Sequence, residues 1–161
     1  MNLQVLRRRF EPVLRRGFHL YWRFARGMTL GVRGVVLDSE NRVFLVKHSY
    51  VAGWHLPGGG VDVGETLREA LTRELAEEGR IELLGEPALH GIFLNRHVSR
   101  RDHVAVYLIR QFRQDRPPEP NREIAATGFF EVAALPAETT QGTRLRIAEV
   151  LEGRAPIATW R

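Results

Sequence analysis

Residues 59–81 read GGVDVGETLREALTRELAEEGRI, and this stretch decides how the rest of the chain is understood. Thr66 with Glu69 three positions on is a capping box, so a helix starts at Thr66. Gly79 supplies the natural stop. At about 100° per residue, Leu67, Leu71 and Leu75 form one apolar stripe, and Glu69, Thr72 and Ala76 fall on the opposite, solvent side. Glu74, Glu77 and Glu78 make an adjoining stripe at the edge of the buried one. Like charges at that spacing repel, far more so once partly desolvated, and the C-terminal end of a helix disfavours anions. Pairing with Arg73 and Arg80 would make the triplet an ordinary solvated face. A bound cation removes the conflict, and carboxylate oxygens with no His or Cys among them suit Mg²⁺, or Mn²⁺ as the alternative.

The residues in front favour the cation. Residues 54–60, WHLPGGG, form a glycine-rich loop whose backbone can approach other groups closely. Upstream, LGVRGVVLD and RVFLVKH are β-branched runs separated by the turn cluster at 38–41, which predicts a hairpin. Downstream, IELLGEPALHGIFLN and DHVAVYLIRQF read as strands joined by a polar loop, GFFEV as a short strand, and residues 142–151 as a final helix. Strands around one central helix, with helices again at both ends, predict an α/β (α+β) domain: an α/β/α sandwich with a mixed β-sheet between helices. That domain covers residues 29–161, and residues 1–28 form an N-terminal amphipathic helical arm.

The 161 residues amount to one domain. The chain has no cysteine, which excludes a disulfide scaffold, a thiolate metal site and a cysteine nucleophile. No apolar run approaches the roughly 18 residues of a membrane span, and the basic N-terminus lacks the unbroken apolar core of a signal peptide. The expected compartment is the cytoplasm. Lys plus Arg is 24 against 19 Asp plus Glu, for a net charge of +5. Seven of the arginines lie in residues 1–28 beside one Glu, so the arm is basic and the body near neutral. Apolar residues at Leu3, Leu6, Phe10, Val13, Leu14, Phe18, Tyr21 and Phe24 give the arm an amphipathic face. The favoured expectation is that this face packs on the domain or on a second copy of the chain, as in a homodimer. The sharper one is contact with RNA or an anionic membrane.

With its glycine-rich lead-in, the segment 59–81 resembles the Nudix box, Gly-x5-Glu-x7-Arg-Glu-U-x-Glu-Glu-x-Gly-U with U aliphatic. Gly59, Glu65, Arg73, Glu74, Leu75, Glu77, Glu78 and Ile81 stand at the required offsets, eight of nine fixed positions. Arg80 stands where the box has glycine and Gly79 comes one residue early, which implies a helix that ends slightly early. From Leu30 to Pro136 the order of elements is similar to a whole Nudix domain, and only the arm lies outside it.

The resemblance implies a Mg²⁺-dependent hydrolase that cleaves the phosphoanhydride bond of a nucleoside diphosphate linked to another moiety, by water attack at phosphorus. It implies Glu77 and Glu78 as metal ligands, Glu74 as a further ligand or the general base, and the carbonyl of Gly59 or Gly58 completing the shell. Arg73 and Glu65 become an architectural ion pair. Glu123 is the candidate for an additional catalytic carboxylate, with Glu119 its competitor. Arg33, Lys47, Arg100, Arg101 and His103 are candidates for phosphate contact, because guanidinium forks and ammonium charges suit phosphate oxygens. Tyr50 and Phe93 are candidates to stack on a base, although strand aromatics are more often core, and Trp54 is expected in the core under the glycine loop. The competing class is a non-catalytic Nudix module that binds nucleotide or RNA through the Arg-rich arm. Three crowded carboxylates favour the enzyme.

Overall fold

The computed structural model describes Tyr21 and residues 27–160, so the predicted arm lies almost entirely outside the described residues. Strands β1 (Thr29–Val36), β2 (Val43–His48) and β3 (Trp54–His55) precede helix α1 (Leu67–Gly79). Strands β4 (Glu82–Leu83), β5 (Ala88–Leu94), β6 (Asp102–Ile109), β7 (Phe112–Arg113) and β8 (Ile124–Phe130) follow, then a 3₁₀ turn at Val132–Ala134 and helix α2 (Gln141–Leu151).

The mixed pairing expected from the sequence is present, divided between two sheets rather than held in one. The first has the order β1-β6-β5, with β1 parallel to β6 and β5 antiparallel to it. The second is antiparallel, β3-β2-β8, and β4 pairs separately with β7. The expected hairpin is corrected for the same reason. Its turn forms: the Asp38 carboxylate accepts from the backbone N–H groups of Glu40 and Arg42, and Asn41 takes a φ of 58°. Beyond the bridge between Leu37 and Val43, however, β1 leaves for β6 and β2 for β8. Both runs are apolar on both faces, and such strands are stable only with a layer packed on each side.

Those layers are the two helices. Val32, Val36, Phe44, Val46 and Ala105 pack with Leu71 and Leu75 of α1. Val35, Leu37, Val43, Leu45 and Phe93 pack on the other side with Ile147 of α2. Alternate residues of β1 and β2 thus serve opposite cores, the period of two that a strand imposes. Trp54 joins the second core, edge-on to Phe130 with ring centroids 4.8 Å apart. Among the described residues no helix is long and apolar enough to cross a membrane.

Helix α1 begins as its sequence predicts. The Thr66 hydroxyl accepts from the Glu69 N–H at 3.2 Å and the Glu69 carboxylate accepts from the Thr66 N–H at 2.8 Å. Its end differs. Gly79 remains helical, and Arg80 is the residue that turns left-handed, at φ 50° and ψ 35°. Gly79 is required for a different reason: a Cβ there would stand 2.8 Å from Ile81 Cδ1 and 3.0 Å from Phe44 Cε1. The left-handed position therefore coincides with the place where the box has glycine, and here a side chain bears the strain. Arg80→Gly is expected to stabilise the protein by about 1 kcal/mol, read as a higher urea midpoint with an unchanged slope.

Candidate active site

The loop of residues 56–60 and the edge of α1 share one wall of a cavity of about 1070 Å³. The loop is fastened to β1 by its backbone: the Gly59 carbonyl accepts from Val32 N–H and the Pro57 carbonyl from Gly34 N–H, each at 2.9 Å. Arg33 reinforces it from the side, donating through Nη1 to the carbonyls of Leu56 and Gly58.

The three box glutamates reach this cavity in different states. Glu78 is buried, at 8% exposure, and its Oε2 accepts from the Gly58 N–H at 2.7 Å. Desolvation pushes its carboxyl up to about 7, against the opposing pull of that hydrogen bond and of the Arg33 charge. Glu74 is half-buried and accepts from Arg73 Nη1 at 2.7 Å. Its carboxylate lies so close to the loop that a Cβ at position 59 would overlap it. Glu77 is exposed, 3.8 Å from the same arginine. Among the described residues no three acidic or imidazole groups already surround a common point. All three nevertheless line the cavity with Gly58 and Gly59.

Arg73 and Glu65 form a two-pronged pair, Nε to Oε1 and Nη2 to Oε2, both at 3.0 Å, while Nη2 also donates to the Gly60 carbonyl. These hydrogen bonds hold the Glu65 carboxyl below its ordinary value. The pair ties helix to loop through the planar fork that only arginine presents. Arg73→Lys is expected to cost roughly 1–2 kcal/mol, measured by chemical unfolding, and to loosen residues 58–65 in hydrogen exchange.

Of the phosphate-contact candidates, Arg33 lines the cavity. Lys47 does not; it is paired with Glu138 at 2.5 Å beside a separate small hollow. Neither Arg100, Arg101 nor His103 is among the lining residues. Glu123 lines the cavity and Glu119 does not, the loop being held by Ser49 N–H on the Glu123 carbonyl at 2.8 Å. Tyr50 is exposed on the cavity wall, and Phe93 is fully buried core.

The sequence reading missed His48 and His55. His48, 8% exposed at the end of β2, places Nε2 3.4 Å from Glu78 Oε1, and its Nδ1 has no partner. Burial, with help from Arg33, lowers its pKa to about 4, so the ring is neutral. His55 stands 5.9 Å from it, ring to ring, and contacts the Ala52 carbonyl through Nε2. β2 is apolar on both faces, and its register with β8 shifts between Lys47 and His48, so nothing in its pattern marked His48.

Comparison with known proteins points the same way. The model of the NUDIX domain matches residues 27–150. The MutT Nudix hydrolase of Burkholderia pseudomallei superposes with a TM-score of 0.65 at 28% identity, over 76% of this chain and 97% of that one. The RNA pyrophosphohydrolase of Francisella tularensis subsp. mediasiatica is 44% identical over 52 residues, 32% of this chain and 34% of the relative. The m7GpppN-mRNA hydrolase of Xenopus laevis is 32% identical over 126 residues, 66% of this chain and 42% of the relative. The chain thus spans less than half the length of these two relatives.

Proposed function

The chain belongs to the Nudix domain family, and from that premise we propose that it hydrolyses a phosphoanhydride bond in a nucleoside diphosphate linked to another moiety. The observation that carries this reading is the desolvated Glu78 carboxylate beside Glu74 and Glu77 on one cavity wall, against a glycine loop on which the Glu74 carboxylate rests at position 59.

The donor set fits a hard divalent cation. Glu74, Glu77 and Glu78 are all-oxygen donors, and among the loop carbonyls that of Gly59 accepts only a neutral N–H whereas that of Gly58 is taken by the Arg33 cation. Mg²⁺ is the expected ion and Mn²⁺ the alternative; when bound it would supply activation of water and neutralisation of phosphate charge. The chain's own residues do the rest. Gly58 N–H fixes one oxygen of Glu78, and the other stands 3.4 Å from His48 Nε2. Arg73 orients Glu74, and Arg33 holds the loop while presenting positive charge beside the site. The attacking water needs its proton accepted; Glu74, half-buried beside Arg73, and Glu123, exposed on the loop before β8, are the two cavity carboxylates assigned to that role. A panel of nucleoside diphosphate derivatives, nucleoside triphosphates and capped RNA, scored for Mg²⁺-dependent release of phosphate or nucleotide, tests the reading. Tight RNA binding with no turnover of any compound would sink it.

Glu123 has its own test. Glu123→Gln is expected to lower kcat by roughly 10²-fold with little change in KM, since general-base loss appears in the transition state. Glu119→Gln, outside the cavity, should match the parent protein. Equal behaviour of the two variants would remove Glu123 from the site.

A further inference from the structure

Arg146 on α2 is a charged side chain with no exposed surface, and the hydrolase reading gives it nothing to do. Its Nη2 donates to Glu149 Oε1 at 2.7 Å, and Glu149 Oε2 stands 3.1 Å from His90 Nε2 on β5. The guanidinium lies over the Phe93 ring at 4.1 Å and over the Trp160 ring at 5.7 Å. Burial opposes ionisation of Glu149, yet the hydrogen bonds from His90 and Arg146 keep its carboxyl below the ordinary value. Buried pairs of this kind are costly to desolvate and are poor devices for stability alone.

What the pair holds is the segment after α2. Arg146 Nη1 donates to the Thr159 carbonyl at 3.4 Å, and Ile157 N–H donates to Glu149 Oε1 at 3.3 Å. That segment runs parallel to the end of β5, with Leu94 N–H on the Ala158 carbonyl at 2.9 Å and Trp160 N–H on the Leu94 carbonyl at 3.0 Å. It lies beyond the stretch that the family model matches. Trp160, at its end, meets Phe93 edge-on and forms part of the cavity wall. Beside it on the same wall, buried Asn95 donates through Nδ2 to Asp102 at 2.9 Å, and Thr29 donates to the other Asp102 oxygen at 2.6 Å. This part of the cavity sets the half-buried Trp160 indole next to the amide of Asn95 and the carboxylate of Asp102.

We propose that Trp160 is a specificity-determining residue that stacks on a planar heteroaromatic ring of the substrate, and that Arg146, Glu149 and His90 are positioning residues that hold it on the cavity wall. The inference rests on the hydrolase reading for the rest of the substrate but can be tested without turnover. Calorimetric titration of the full chain with ADP, GDP and inorganic pyrophosphate separates ring recognition from phosphate recognition. Trp160→Ala is expected to weaken ADP or GDP binding by roughly tenfold or more, the scale of one base–aromatic stack, with pyrophosphate binding unchanged. Trp160→Phe should restore most of it. His90→Gln, which loosens Glu149 without emptying the core, should give a smaller loss with the same split. Nucleotide affinity indifferent to Trp160→Ala, or nucleotide and pyrophosphate weakened alike, overturns the inference. Nucleotide binding that depends on Trp160 in a protein that hydrolyses nothing would support it while sinking the hydrolase reading.

Discussion

Glu78→Gln is expected to lower turnover by two to three orders of magnitude, roughly 3–4 kcal/mol of lost transition-state stabilisation, while the melting temperature in chelator stays level or rises. The substitution preserves volume, and the amide oxygen can still accept from Gly58 N–H, so the loop keeps its anchor. What disappears is a carboxylate that is 8% exposed, raised to about 7 by desolvation and crowded by Glu74 and Glu77. A cation would offset that cost in the loaded protein, and without one the charge is a burden. Affinity for Mn²⁺, titrated by electron paramagnetic resonance, should fall together with kcat. The opposite pattern, a clear loss of metal-free stability with Mn²⁺ affinity intact, would make Glu78 a structural partner of His48 and Arg33 instead.

The helix was legible because its information is local. The capping box, the leucine stripe and the exposed face of Glu69, Thr72 and Ala76 follow from spacing alone, and each has its expected burial. The unequal burial of the three glutamates was not legible, because it depends on where the loop at Gly58 lands after β1 has captured it. The hairpin failed on the same ground: turn chemistry at residues 38–41 is local, but which partner β1 chooses is settled by β6, far along the chain. The end of α1 shows propensity yielding to packing. Gly79 has the residue type of a stop, yet the space between Ile81 and Phe44 claims it, and the left-handed turn passes to Arg80. Trp160 and His48 gave no signal because each matters through a contact with a distant segment, Leu94 in one case and Glu78 in the other.

Gly58→Ala should be the most damaging added methyl among the described glycines. Gly58 has a φ of 133°, a conformation that side chains rarely adopt, so the substitution strains the backbone before any neighbour is considered. The added Cβ would also overlap the Val32 carbonyl oxygen and stand 3.0 Å from Arg33 Cα. Both are backbone atoms of β1, in the middle of its ladder with β6, and neither can swing aside as a side-chain end could. The loop must therefore lift off β1. Lifting it breaks Val32 N–H to Gly59 and Gly34 N–H to Pro57, and it withdraws the Gly58 N–H from Glu78. The expected cost is roughly 2–4 kcal/mol of stability, read from chemical unfolding, with hydrolysis falling along with it even where the protein remains folded. Gly60→Ala is the control, since a Cβ there meets nothing within 4 Å. If the two variants unfold at the same urea concentration, the loop is not clamped on β1 as tightly as its backbone contacts require, and Glu78 would need another anchor.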